Sequence, residues 1–274
     1  MLRTIRVILV TLFVLTALGF ATLVVYQFTH DDTAPPVITS DSDLLELSVT
    51  ATEQELKQGL KAYDNMDGDI TDRIVVQRIS HLVNATDATV TYLVFDNASN
   101  AATYQRTLRY TDYQKPRFYL TKALTYNVGE TITLRDRLSA RDVIDGDLTD
   151  SILVSESNAS NTVPGYYAIT VQVTNSAGDT AVLPLTVTVQ NQSVTTPRIL
   201  LREQLVYVDA GQSVNYASYV LSATDPMLSG TQNSQVTIND EDADLSTPGV
   251  YEVYYYLLGK SGETATAILT VVVE

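Results

Sequence analysis

The segment VPGYYAITVQV (163–173) returns 84 residues later as TPGVYEVYYYL (247–257), and NSAGDTA (175–181) returns at that offset as KSGETA (260–265). With an offset of 78, NASNAA (97–102) fills the same slot in a third copy. A repeat of about 80 residues constrains the chain to build one small unit several times. The repeated segments alternate. In YYAITVQV, Tyr167, Ile169, Val171 and Val173 share one face, and Tyr166, Ala168, Thr170 and Gln172 the other. Such period-two patterning, rich in Val, Thr and Tyr, predicts half-buried strands. Turn residues between the last two strands of each unit predict hairpins. The fold class is therefore all-β, with three tandem β-sandwich domains at 33–112, 113–191 and 195–274. ELKQGLKAYD (55–64) has helical character, but its counterpart TITLRDRLSARD predicts an extended segment with a turn. The linkers YTDYQK and QNQSVTT are short, so the domains are expected to stack end to end as a semi-rigid rod on the order of 100 Å long.

The N-terminus is of a different kind. Residues 1–6 carry Arg3 and Arg6, and 7–28 contain no charge. Roughly 20 apolar residues suffice to cross a bilayer as a helix. Positive charge before the span, with His30, Asp31 and Asp32 after it, predicts residues 1–6 in the cytoplasm and the C-terminus outside. The alternative is a secreted chain, cleaved at Ala17–Gly19 or Gly19–Ala21. The apolar run is longer than a signal peptide's usual 7–15 residues, which favours an uncleaved anchor at the plasma membrane. The chain carries a net charge of −15, with 32 acidic residues against 17 basic ones. Such a surface repels nucleic acid and anionic headgroups and attracts cations or basic partners. With no cysteine, neither disulfides nor thiolate chemistry is available.

DNMDGDITDRI (64–74) and DVIDGDLTDSI (142–152) concentrate aspartate in two homologous loops. One reading is a calcium site, with Asp64, Asp67, Asp69 and Asp72 as oxygen donors in the first loop and Asp142, Asp145, Asp147 and Asp150 in the second. The spacing is not that of an EF-hand. The other reading is a turn. The third copy, DPMLSGTQNSQV, keeps Asp225 and Gly230 but has Ser229 and Thr231 in place of the inner aspartates. Hydroxyl and carboxylate side chains both bond nearby backbone N–H groups, so the turn survives where the charge does not. That comparison favours the structural role.

A Pro near the start, D-x-x-D-G-D-[IL]-T, P-G-x-Y and N-x-A-G-[ND]-T-A before a final Val/Thr strand together resemble the bacterial surface immunoglobulin-like domains. These recur in tandem in Gram-positive surface proteins and occur in an insecticidal crystal protein. The resemblance covers about 33–274. It is best in the second unit, at Pro116, Asp142, Asp145, Gly146, Asp147, Thr149, Pro164, Gly165, Tyr167, Gly178 and Thr180. The first unit has Thr86, Asp87 and Thr89 where Pro, Gly and Tyr are expected. The resemblance implies an Ig-like sandwich and extracellular display, and no activity.

His30 and His81 have no partner at catalytic spacing, and a repeated carboxylate cluster belongs to a domain rather than to one active site, so no enzyme is expected. Tyr167 and Tyr251 sit where sandwich domains place corner tyrosines. Alternation sends at least one ring of Tyr254, Tyr255 and Tyr256 outward, where it can stack on a glycan or anchor a protein. The expected function is a non-catalytic, membrane-anchored extracellular rod, for adhesion or for holding an envelope or surface protein. The alternatives are a ligand-binding module for calcium or cell-surface glycan and, more remotely, an envelope enzyme.

Overall fold

The computed structural model describes residues 2–30 and 32–274, with side chains from 2–26 and from 32 onward. The His30 side chain and Asp31, which flank the expected span, lie outside the described residues. A single helix, Leu2–His30, opens the chain. Within its Leu2–Tyr26 stretch, an 18-residue window has a mean hydropathy of 2.6 and no buried residue. Length and composition suit a membrane span or a signal sequence.

Beyond the helix the protein is almost entirely β. It divides into two compact units, 1–111 and 112–274, the second holding two hydrophobic cores. Each core lies between a small sheet and a four-stranded sheet. In the first repeat the small sheet joins Val37–Ser40, Leu60–Asp64 and Gly68–Asp69. The large sheet orders Leu44–Leu47, Ala101–Tyr110, Asp87–Phe95 and Val75–Ile79. The opening strand is thus divided. Its first half pairs antiparallel with Leu60–Asp64, and its second runs parallel to the last strand. The same plan recurs in the second repeat, where Thr125–Asn127 runs parallel to Thr180–Gln190. In the third, Leu205–Val208 runs parallel to Thr264–Val273.

The inward face is the one the alternation selects. Ile169, Val171 and Val173 are buried with Leu183, Leu185, Val187 and Val189 across the hairpin. Val253, Tyr255 and Leu257 do the same with Leu269 and Val271. Each such side chain removed from water contributes roughly 1.5–3 kcal/mol before conformational entropy is counted. The corner tyrosines form as expected: Tyr167 donates its hydroxyl to Val163 O at 2.8 Å, and Tyr251 to Thr247 O at 3.0 Å.

Two expectations are corrected. First, Glu53–Leu56 is a one-turn helix, not an extended segment. Thr52 and Glu55 form a reciprocal capping box, which satisfies free N–H groups at its start. At its end, Leu56 O accepts from Tyr92 Oη and the buried Arg106 guanidinium, both at 2.6 Å. The following Leu60–Asp64 is a strand, as the pattern predicts. Second, within residues 112–274 the two repeats do not stack end to end. The outward face of the third repeat's large sheet lies against the flank of the second repeat. Tyr207 Oη accepts from Phe118 N at 2.9 Å, Thr186 Oγ1 donates to Glu252 at 3.0 Å, and Arg117 pairs with Glu274. Thr188 and Thr270 stand on outward sheet faces, yet they are only 6% and 3% exposed.

Candidate functional site

The acidic loops are short returns between the small and large sheets. Their first residue ends a strand, and their glycine takes a left-handed conformation, with φ of +74° at Gly68, +75° at Gly146 and +76° at Gly230. Only glycine adopts that conformation without Cβ strain. The aspartates then satisfy the backbone of this tight turn. Asp64 Oδ1 accepts from Met66 N at 2.8 Å and Asp67 N at 2.9 Å. Asp142 Oδ1 does the same with Ile144 N and Asp145 N. Asp69 and Asp147 each accept from the N–H two residues on, Thr71 or Thr149, at 2.9 Å. The threonine hydroxyls and N–H groups hold both carboxyls below the usual carboxylate range. Thr71 and Thr149 also accept from the N–H of Ala62 and Ala140. In the third repeat Asn233 takes this place, accepting from Ala223 N.

The middle aspartate reaches across to the hairpin between the last two strands. Asp67 accepts from Asn97 N and Asn97 Nδ2 at 2.7 and 2.6 Å. Asp145 accepts from Ser176 N and Ser176 Oγ, both at 2.6 Å. Asp72 and Asp150 are exposed, and Asp150 forms an ion pair with the exposed Arg135. The eight aspartates therefore do not converge as two four-carboxylate groups. Asp67, Asp69, Asp145 and Asp147 each accept hydrogen bonds from backbone or hairpin partners.

The first aspartate of each loop differs, because its second oxygen faces the hairpin turn. In the second repeat Asp142 Oδ2 accepts from Asn175 Nδ2 at 3.0 Å. In the third, Asp225 Oδ2 accepts from Lys260 N at 2.6 Å, a bond that holds its carboxyl below the usual range. In the first, the residue at the Asn175 position is Asp96. Asp64 is 1% exposed, and its Oδ2 has no hydrogen-bond partner. One carboxylate oxygen each from Asp32, Asp64 and Asp96 lies within 4.8 Å of the others, the sole such group of metal-ligating side chains among the described residues.

Sequence reasoning missed Asp32 and Asp96. Asp32 precedes the first strand, in the lead-in to the repeat. Asp96 was hidden by a one-residue slip. The offset of 78 sets Asn97 against Asn175, but the hairpin bonds Asp96 N→Asn100 O and Asn175 N→Asp179 O show that Asp96 is the equivalent residue.

The hairpin turn also grips each lead-in. Asn100 Nδ2 donates to Asp32 O at 3.1 Å. Asp179, its equivalent, accepts from Tyr113 Oη at 2.8 Å. Glu263 accepts from the Thr195 and Ser193 hydroxyls, which lower its pKa.

The tyrosine run is divided by its strand. Tyr255 is fully buried and donates to Tyr216 O at 2.9 Å, so it cannot meet a partner or glycan. Tyr254 and Tyr256 are half-buried on the outward face, their rings parallel with centroids 6.3 Å apart. Tyr254 meets Tyr166 of the second repeat edge-on at 6.2 Å and donates to Glu252. The expected exposed aromatic face is in large part an internal contact.

No family model matches the chain. It is 28% identical over 221 residues to the pesticidal crystal protein Cry22Aa of Bacillus thuringiensis, covering 78% of this chain and 29% of that one. It is 24% identical over 249 residues to an 81.3 kDa protein of Acholeplasma phage L2, covering 87% of this chain and 32% of that one. The chain thus spans less than a third of the length of these curated relatives. Similar solved structures include CBM51-2 with GlcNAc and the INT domains of Clostridium perfringens ZmpB, at 16% identity, TM-score 0.26, and 56% of this chain against 26% of that one. The protocadherin GammaB4 extracellular domain matches at 14% identity, TM-score 0.20, and 89% of this chain against 52% of that one.

Proposed function

We propose that the protein is a non-catalytic, membrane-tethered extracellular module whose β-sandwich repeats hold an envelope protein partner away from the bilayer, or serve adhesion. One observation carries this reading: after Arg6 the Leu2–Tyr26 helix is uncharged, its most apolar 18-residue window has no buried residue, and β structure follows it. Such a surface is stable in lipid and costly in water. The flanking charges orient residues 1–6 to the cytoplasm and the repeats outward. The buried contact between the second and third repeats supports a holding role, because it fixes two domains as one body.

Expressed in a bacterium, the full chain is expected to stay with membranes through an alkaline carbonate wash. Protease added outside wall-stripped cells removes the repeats. Release by carbonate defeats the tether, and protection from external protease defeats the orientation. A photo-crosslinker at Leu258, which is exposed on the third repeat, is expected to give one discrete adduct in intact envelopes. A chain that crosslinks only to lipid or to nothing defeats the holding role.

A further inference from the structure

Turn formation uses Oδ1 of Asp64 and Oδ1 of Asp96 but does not explain why these two carboxyls meet that of Asp32. We infer that the three form a calcium site at the entrance to the first repeat, absent from the other two. The comparison among repeats carries the inference. At the hairpin position facing the first aspartate, the second repeat has Asn175, whose Nδ2 donates to Asp142, while its Oδ1 accepts from Asp179 N at 2.9 Å. The third repeat has Gly259, and the backbone N–H of Lys260 supplies the donor. The first repeat has Asp96. Its Oδ1 accepts from Asn100 N at 2.8 Å, as Asn175 Oδ1 does from Asp179 N. Its Oδ2 therefore occupies the place of the Asn175 amide, and an oxygen has replaced the nitrogen that would have met Asp64. No proton donor replaces it, and Asp64 Oδ2 is left buried without a hydrogen bond.

A buried anionic oxygen without a partner is strongly disfavoured, and a second carboxylate beside it makes matters worse. Asp32 adds a third. A cation removes all three penalties at once. The donor chemistry selects its class, because an all-oxygen set of carboxylates suits a hard cation. Calcium binds oxygen at about 2.3–2.6 Å, so two ligands on one ion stand up to about 5 Å apart. The three oxygens lie within 4.8 Å of one another. Magnesium demands a near-ideal octahedron and gives up its waters reluctantly, so a site built from protein carboxylates favours calcium. Asn100 organises the group, since its Nδ2 donates both to Asp96 Oδ2 at 2.8 Å and to Asp32 O at 3.1 Å. The bound ion would join the lead-in, the acidic loop and the hairpin turn, the three segments that Tyr113, Asp142, Asn175 and Asp179 join by hydrogen bonds in the second repeat. The site is distinct from the DGD loops as a whole and uses Asp64 alone among their aspartates.

The test is calcium titration of the purified full chain in detergent micelles after chelator treatment, read by calorimetry with magnesium as competitor. One calcium per chain is expected, with magnesium a weak competitor. Asp96→Asn installs the second repeat's amide, so it is expected to abolish binding while leaving chelated stability unchanged or higher. Asp32→Asn, in the lead-in and outside the sheets, is expected to weaken binding about tenfold or more through loss of one ligand charge. It keeps the test valid if Asp96→Asn folds poorly. Asp145→Asn, in the second repeat, is expected to bind as wild type. No calcium binding, unchanged affinity in Asp32→Asn, or loss of binding in Asp145→Asn would each overturn the inference.

Discussion

Asn175 Nδ2 lies 3.0 Å from both Asp142 Oδ2 and Tyr113 Oη, joining a loop, a hairpin turn and the lead-in to the second repeat. Asp142 and Asn175 are both buried, so the bond is shielded from water. Replacing Asn175 by Asp removes the donor and sets two carboxylates against each other. The expected cost is roughly 1–3 kcal/mol, the penalty of an unsatisfied buried polar group. Urea unfolding of the full chain in chelator measures it, and a wild-type midpoint would show that the amide contributes nothing.

The aspartates within one motif are expected to differ sharply in worth. Asp145→Ala removes both acceptors of Ser176 and loosens the hairpin, at about 1 kcal/mol. Asp150→Ala removes only a surface pair in which Asp150 is 88% exposed, and is expected to change stability by less than about 0.5 kcal/mol. Equal effects in denaturant titration would mean that the motif acts through its total charge and not through these bonds.

Strands, hairpins and inward faces were legible because burial follows alternation, as Ile169, Val171 and Val173 show. The corner tyrosines were legible from Pro-Gly and spacing. The role of Asp67 was not, since Asn97 lies 30 residues away and nothing local marks the pair. Asp32, Asp64 and Asp96 come from three separate segments, and only the hairpin register aligns Asp96 with Asn175. The contact between the second and third repeats was hidden for another reason. Thr188 and Thr270 read as solvent-facing residues on outward faces, and threonine suits either environment. Polarity marks the face away from a domain's own core but does not say whether another domain covers it.

That contact gives a third prediction. Thr270 is 3% exposed, on a face turned towards the second repeat. Thr270→Arg places a large charged side chain there, and overpacking of this kind typically costs about 1–3 kcal/mol before the charge is counted. The two repeats are expected to separate while each keeps its own core. Hydrogen exchange should rise along the covered faces of Thr180–Gln190 and Gly249–Leu258, and calorimetry should split one transition into two. Unchanged exchange and a single transition would mean that the contact does not join them.

Asp87 predicts how the first repeat responds to acid. Hydrogen bonds from Arg109, then Asn84, hold its carboxyl far below the usual aspartate range. Arg109 Nε and Nη2 reach Asp87 Oδ1 and Oδ2 at 2.8 and 3.1 Å across the pair of strands. A carboxyl whose pKa is depressed by folding stabilises the fold fully above its unfolded pKa of about 3.9. That contribution fades as pH falls below about 4 towards the folded value, because the unfolded chain then binds the proton first. Asp87→Asn is therefore expected to lower the denaturant midpoint of the first repeat at pH 7. The gap between variant and wild type is expected to narrow progressively as pH falls from 4 to 2. A gap that stays constant over that range would show that Asp87 acts through shape and hydrogen bonding alone, with its charge contributing nothing.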